Sequence, residues 1–152
     1  MRAVLQRVSQ ASVATNQTIK SKIGPGLLIL LSVGDTDNQE DLKWLCKKIV
    51  RLRIFSDETG LMNLSLLQTG GEALILSQFT LHANTKKGNR PSFNHAAPPH
   101  LAVQLYNRFV KMFECELNNS SAVKTGEFGA NMQVSLINDG PVTIYIDSKL
   151  RE

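Results

Sequence analysis

Two short stretches place groups that can do chemistry where a plain structural strand would not put them. Ser77-Gln78-Phe79-Thr80-Leu81 follows the apolar run Ala73-Leu74-Ile75-Leu76, so three polar side chains stand at the end of a strand expected to be buried. Polar groups there must find partners or face a pocket. Asn138-Asp139-Gly140-Pro141-Val142-Thr143 interrupts an alternating pattern with a dipeptide that a strand cannot use. Glycine takes backbone angles closed to other residues, while proline donates no amide hydrogen and permits a cis bond at small cost. Such a junction offers bare carbonyl oxygens; its structural alternative is a tight turn between two strands.

Thr80 is the one hydroxyl suited to nucleophilic attack, yet no base is placed in sequence to activate it. His82, His95 and His100 lie on or near loops and read as surface histidines. A second route uses the main chain: the amides of Phe79 and Thr80 at the strand end would form an oxyanion hole, leaving attack on an acyl group to a positioned water and a nearby proton acceptor. Both routes stay open, with Ser77 and Gln78 beside them. HExxH, GxSxG, GxGxxG and carboxylate-rich metal patterns are absent from the sequence, so neither a metal nor a cofactor is expected.

Thr85-Lys86-Lys87-Gly88-Asn89-Arg90-Pro91 concentrates three cations beside a glycine. Lys86, Lys87 and Arg90 can hold phosphates; such a tract taken alone is more often a solvated basic loop, and its place just after Leu81 shifts the reading toward an RNA contact. A net charge of +4 permits an anionic partner but is well short of that of a protein that lives on nucleic acid. Arg7, a lone charge in an apolar strand, is read either as a surface arginine or as a substrate contact.

The elements that must carry these groups follow from periodicity. Residues 1–13 alternate as a strand, and Thr15-Asn16-Gln17 reads as a hairpin turn. Beyond Gly24-Pro25-Gly26, the continuous apolar run Leu27–Val33 predicts a strand covered on both faces. Asp37 with Glu40 suggests a capping box, and Leu42, Leu45, Cys46, Ile49 and Leu52 predict an amphipathic helix over 38–51. Arg53-Ile54-Phe55 reads as a short strand before a turn at 57–60, and residues 73–79 as the strand that delivers Phe79. Pro98-Pro99 opens a second helix through about Glu116, with Leu101, Leu105, Phe109 and Phe113 on its core stripe. Gly126 and Gly129 flank Phe128 as in a shaped pocket wall leading to Ala130 and Met132. Strands over 132–138 and 142–147 are expected to meet at Gly140-Pro141, leaving 148–152 as a polar tail.

At 152 residues and 42% hydrophobic content, the chain has the size of one compact domain spanning 1–152. No apolar run is long enough to cross a bilayer as a helix, and the first residues are too polar for a signal-peptide core, so a soluble, intracellular protein is expected. Cys46 and Cys115 lack metal or redox spacing and read as reduced packing residues on helices.

Taken together, SQFTL at 77–81 and NDGPVT at 138–143 resemble the two signature motifs of the D-aminoacyl-tRNA deacylases (the D-tyrosyl-tRNA deacylase family), chiral proofreading enzymes of translation. The likeness runs nearly end to end, through MRAVLQRVSQASV, IGPGLLILLSVG, LRIFSDETGLMNLSL, TKKGNRPSF, AAPP and TGEFGANMQVSL. Departures are slight: Leu61 stands where a lysine is common and Ser32 where glycine is frequent, and neither is expected to touch the motifs.

The resemblance implies an α/β fold, a single compact domain with layered β-sheets and helices on one side, assembled as a homodimer. It implies cytoplasmic hydrolysis of the ester of D-aminoacyl-tRNA at the 3′-terminal aminoacyl-adenosine, and leaves open glycyl-tRNA as a second substrate. Ser77, Gln78, Phe79 and Thr80 would form the catalytic strand end. Leu81, Phe128, Ala130, Met132, Asn138, Gly140, Pro141 and Arg7 would bind substrate and read its hand. Gly140-Pro141 would be cis and would enter the pocket of the other subunit, so that main-chain atoms reject L substrates. Each carbonyl that grips the α-ammonium is worth about 1.5 to 3 kcal/mol, so two misaligned bonds separate the enantiomers by roughly a hundred- to ten-thousand-fold. A noncatalytic RNA- or nucleotide-binding module is the alternative; a purely structural dimer leaves both motifs unexplained.

Overall fold

The computed structural model describes residues 1–151. In chain order its strands are β1 (Arg2–Thr15), β2 (Thr18–Ile23), β3 (Gly26–Ser32), β4 (Arg53–Ser56), β5 (Met62–Ser65), β6 (Glu72–Ser77), β7 (Val123–Thr125) and β8 (Met132–Asp147). The helices are α1 (Gln39–Arg51), the single turn α2 (Leu66–Thr69) and α3 (Pro99–Leu117), with 3-10 turns at Phe79–His82 and Ser120–Ala122.

β1 is the axis of the six-stranded sheet because both of its edges are taken. Asn16 and Gln17, both with positive φ, make the two-residue turn that returns the chain as β2. β2 pairs with the far half of β1 and β3 with the near half, so the two follow one another along one edge. β8 runs antiparallel along the other edge from Arg2↔Asp147 to Thr15↔Met132. β6 then adds in parallel to β3, and β7 in parallel to β6. A β-carbon on Gly26 would run into the backbone of Glu72, so only glycine lets these two strands start this close together.

The apolar run of β3 faces two cores, as its composition predicts. Leu27, Ile29 and Leu31 pack with Leu42, Leu45, Ile49, Phe109 and Phe113 against α1 and α3 on one side of the sheet. Leu28 joins Val8, Ala11, Val13, Ile23, Leu74 and Leu76 on the other, where the sheet folds back over itself. Layered β-structure with helices on one side is therefore the observed arrangement. Phe109 is fully buried, and its truncation to alanine would cost about 3–5 kcal/mol.

Several expectations are corrected. Residues 132–147 are one strand, since both sides of the Gly140-Pro141 break pair with β1 in the same direction. The chain does not reverse there. Between Val8↔Asn138 and Gln6↔Thr143, Arg7 alone faces residues 139–142, which bulge outward. The cap of α1 is Asn38 with Asp41, because the Asp37 carboxylate is occupied by the Met1 ammonium and the Gly34 amide. The strand β6 ends at Ser77, two residues earlier than expected, and Phe79–His82 coils into a 3-10 turn. Cys46 is buried, its thiol pushed up to about 12 by that burial, but Cys115 is exposed and is not a core packing residue. The tail expected over 148–152 is pinned: Ser148 is buried and donates to Asp41, and Lys149 pairs with Asp41 at 2.6 Å, while Glu152 lies outside the described residues.

Candidate active site

The turn after β6 forms one wall of a cleft of about 650 Å³. That volume suits a drug-sized ligand. Ser77, Gln78 and Phe79 line it from the turn, and Phe128, Ala130 and Met132 line it from the segment leading into β8. Six of the residues singled out from the sequence are thus brought together. The opposite wall, formed by Phe93, Ala96, Ala97, Pro98, Pro99 and Ala102, was not among them. Its only sequence signal is the small-residue run before a proline-opened helix, which does not say what that helix start faces.

Local packing explains how each wall is held. Gly126 passes so close to Met132 Sδ and Leu76 Cδ2 that a β-carbon would lie 2.5 and 2.8 Å from them, and Gly129 has φ of +75°. Close approach and a left-handed turn are why glycines bracket Phe128. The Phe128 ring rests at 5.8 Å on Tyr106, whose hydroxyl donates to Ile75 O at 2.8 Å. Phe79 is 56% exposed and meets Phe93 edge-on at 5.0 Å.

Among the described residues, neither the Phe79 nor the Thr80 amide finds a hydrogen-bond acceptor. The first amides of a helical turn have no partner within it, and here they sit beside the cleft. The Gln78 amide is used, donating to Leu31 O at 2.8 Å. The exposed Thr80 hydroxyl accepts from the Gln78 side-chain amide, and no imidazole or carboxylate of the described residues bonds to it. Two free main-chain donors without an activated nucleophile suit stabilisation of an oxyanion better than covalent attack.

His82 is not a surface histidine. It is buried with Ser32, and its Nδ1 lies 2.6 Å from Ser32 Oγ. Burial, then the neighbouring Arg2 guanidinium, push its pKa below the ordinary histidine value. Ser32, expected to lie away from the motifs, therefore touches the residue directly after Leu81. His95 and His100 are exposed.

Leu81 is half-buried and off the cleft, its carbonyl accepting from Arg2 Nη1 at 2.9 Å. Arg7 is neither a surface arginine nor a cleft residue of its own chain. Only 9% exposed, it donates from Nη1 to Ile54 O at 2.6 Å and lies beside Asp139, with Nε 3.0 Å from Oδ2. The Nε approach is an ion-pair contact without hydrogen-bond alignment. Asn138 closes the base of the bulge, its Nδ2 donating to Arg7 O at 2.9 Å and to Val142 O at 3.1 Å. Above this clasp the Gly140-Pro141 bond is cis, and both residues are exposed, away from their own chain's cleft.

Lys86, Lys87 and Arg90 are exposed on a loop closed by paired backbone bonds between Asn84 and Ser92, next to Phe93 of the cleft wall. None of the three forms an ion pair among the described residues. They are available to phosphate. Groups of three or more histidine, cysteine or acidic side chains that could hold a metal are absent among the described residues.

Comparison with known proteins gives a consistent set of matches. A family model described as D-Tyr-tRNA(Tyr) deacylase matches residues 4–147. Curated D-aminoacyl-tRNA deacylases from Bacteroides fragilis (strain YCH46) and Flavobacterium psychrophilum are each 57% identical over 152 residues, covering all of both chains. One from Thermosipho africanus is 56% identical over 98% of each chain. Among solved structures, the c-Myc DNA unwinding element binding protein is similar with a TM-score of 0.92 and 40% identity, over 97% of this chain and 98% of that one. A probable eukaryotic D-amino acid tRNA deacylase, at 20% identity and a TM-score of 0.82, shares the fold over 95% of this chain and 97% of its own.

Proposed function

The chain belongs to the D-Tyr-tRNA(Tyr) deacylase family and hydrolyses D-aminoacyl-tRNA as a proofreading enzyme; from that premise we propose how its residues divide the work. The observation that carries the proposal is the pair of unpartnered amides, Phe79 and Thr80, beside a mostly apolar cleft that holds no activated nucleophile.

The aminoacyl ester enters the cleft with its carbonyl oxygen toward these two amides. Water attacks the carbonyl carbon, a C–O bond forms, and the negative charge passes to the carbonyl oxygen where the amides hold it. The bond to the ribose oxygen then breaks, the water's proton ends on that oxygen, and free D-amino acid and tRNA leave. Removing one such donor typically costs about a hundred- to a thousand-fold in rate. The vicinal ribose hydroxyl orients the water, and Thr80 acts through its amide. Ser77 and Gln78 shape the turn, while Phe128, Ala130 and Met132 hold the aminoacyl and adenosine moieties. Lys86, Lys87 and Arg90 meet phosphates of the RNA. Residues 1–152 work as one domain, in the cytoplasm and without a metal or cofactor; among the described residues no helix is long and apolar enough to cross a membrane.

Chirality is read by a second copy of the chain. β8 is a sheet edge sixteen residues long, and Val134, Ile137 and Tyr145 stand exposed along it. Long, apolar edges of this kind are normally covered, which supports a homodimer formed across β8. The clasped, exposed Gly140-Pro141 bulge points away from its own cleft and is free to enter the partner's. Its carbonyls grip the α-ammonium there, with Asn138 and Arg7 holding the bulge and Leu81 the turn beneath it. Glycine, which has no hand, is accepted within the same geometry.

A mixed dimer tests this arrangement. One protomer carries Ala130→Trp, which plugs its cleft, and the other Gly140→Val, which deforms its bulge. Across-subunit assembly leaves one of the two sites of each mixed dimer intact, so the isolated mixed dimer shows about half of the native activity and a random equimolar mixture about a quarter. Within-subunit assembly leaves no intact site and no activity.

A further inference from the structure

A four-residue 3-10 turn has poor hydrogen-bond geometry and does not hold its own orientation. The Phe79–His82 turn nevertheless presents two amides that must point one way, and it is tied from behind at three places. Gln78 N donates to Leu31 O at 2.8 Å at its start. Near its end, Leu81 O accepts from Arg2 Nη1 at 2.9 Å, and the His82 ring meets Ser32 Oγ at 2.6 Å.

Each tie is itself anchored. Arg2 donates from Nε to Asp147 Oδ2 at 2.9 Å, and Asp147 is 6% exposed and also receives the Lys149 amide. One planar guanidinium thereby joins the end of β8 to the turn through two separate nitrogens. Ser32 and His82 are 1% and 7% exposed, so water does not compete for their bond. Gly34 leaves the ring its space, since a β-carbon there would lie 2.9 Å from His82 Nε2. Arg2, Ser32 and His82 all lie outside the cleft lining.

We propose that Arg2, Ser32 and His82 are positioning residues of the deacylation reaction, a polar brace that fixes the Phe79 and Thr80 amides in the orientation that receives the oxyanion. The proposal rests on the reading of those amides as the oxyanion donors. A brace of this kind acts on the transition state and not on substrate affinity, because the amides are needed most when charge has developed.

Ser32→Ala is expected to lower kcat about 5- to 10-fold and Arg2→Met about 10- to 30-fold, each with KM within about two-fold, because small misplacements of a catalytic group can cost up to about a hundred-fold. Ser32→Thr keeps the hydroxyl and restores kcat; Arg2→Lys, with one nitrogen in place of two, does not. A readout without substrate accompanies the kinetics. Backbone order parameters at the Phe79 and Thr80 amides are expected near about 0.85 in the native enzyme and to fall toward about 0.6 in the Ser32→Ala/Arg2→Met double variant. Unchanged order parameters, or variants that lower the melting temperature alone and leave kcat as it was, overturn the brace. Failure of the underlying reading looks different: an acyl group trapped covalently on Thr80 of the native enzyme discards the amides as the principal device, whatever the brace variants do.

Discussion

Substituting Gly140 by alanine separates the role proposed for it in reading the substrate's hand from the stability of the fold. Gly140 has φ of +118°, and an added β-carbon would lie 2.8 Å from Arg7 Nη2, 2.9 Å from Val142 Cγ2 and 3.1 Å from Val142 N. A non-glycine residue held at such angles costs about 1–3 kcal/mol. The bulge is exposed and can give way, so the loss of stability should stay near that range and not add a full steric penalty. For a domain of this size it corresponds to a fall in melting temperature of about 2–12 °C. β8 pairs with β1 on both sides of the bulge, so the sheet should persist, and with it the proposed dimer. What moves is the direction of the carbonyls above the Asn138 clasp, and with it the contact between Arg7 and Asp139. One misaligned charged hydrogen bond is worth about 1.5–3 kcal/mol, which predicts a loss of roughly ten- to a hundred-and-fifty-fold in the preference for D over L substrate. Ester loss from matched D- and L-aminoacyl-tRNA, followed at equal enzyme concentration, measures it directly. A Gly140→Ala variant with a shifted melting temperature and an unchanged ratio of the two rates would refute the reasoning.

Thr80→Ala should retain deacylation within about ten-fold of the native rate, since the amide survives the substitution; abolished turnover together with a trapped acyl-Thr80 would favour the nucleophile. Replacing Lys86, Lys87 and Arg90 by alanine should raise KM, spare kcat, and flatten the salt dependence of binding by about 0.7 per lost phosphate contact, and an unchanged salt slope would return the loop to plain solvation. His82 is held neutral by burial and by Arg2, with Asp37, the Met1 ammonium and Asp147 also facing it. Its folded pKa lies below the unfolded value, so its contribution to stability is complete above about pH 6.5 and is lost as pH falls through the lowered value. Asp41 and Asp147 are also held low: burial raises each, but Lys149 and Ser148 at Asp41, and the Lys149 amide and Arg2 at Asp147, outweigh it. Their contribution is present above about pH 3.9 and is lost below it. Melting temperature should therefore fall with acid in two stages, and His82→Asn should remove the upper one; a variant with the native profile between pH 7 and 5 would rule His82 out.

Much of the fold is legible locally because the cores impose periods. Leu105, Phe109 and Phe113 recur every four residues because one face of α3 meets the sheet, and β3 is continuously apolar because both its faces are covered. The errors arise where a residue's state depends on a partner distant in sequence. Gly140-Pro141 looks like a turn until both flanking segments are seen to share β1, more than a hundred residues away. Arg7 looks superficial until Ile54 O and Asp139 close over it. His82 is read as exposed because nothing near it in sequence announces Ser32, fifty residues earlier. Of the cleft, the polar half is legible because its side chains break the pattern of a buried strand. The Ala96–Ala102 wall is not, since small apolar residues at a helix start are equally at home against solvent, core or ligand.

The most direct test of chiral hydrolysis is a single comparison of D- and L-aminoacyl-tRNA charged with the same amino acid, incubated with limiting enzyme and followed for loss of the ester. The D ester is expected to disappear at a rate proportional to enzyme, at least about a hundred-fold faster than the L ester, the smallest separation that two misaligned charged hydrogen bonds would give. Equal enzyme-dependent rates for the two hands, or no acceleration of either above spontaneous hydrolysis, would contradict it.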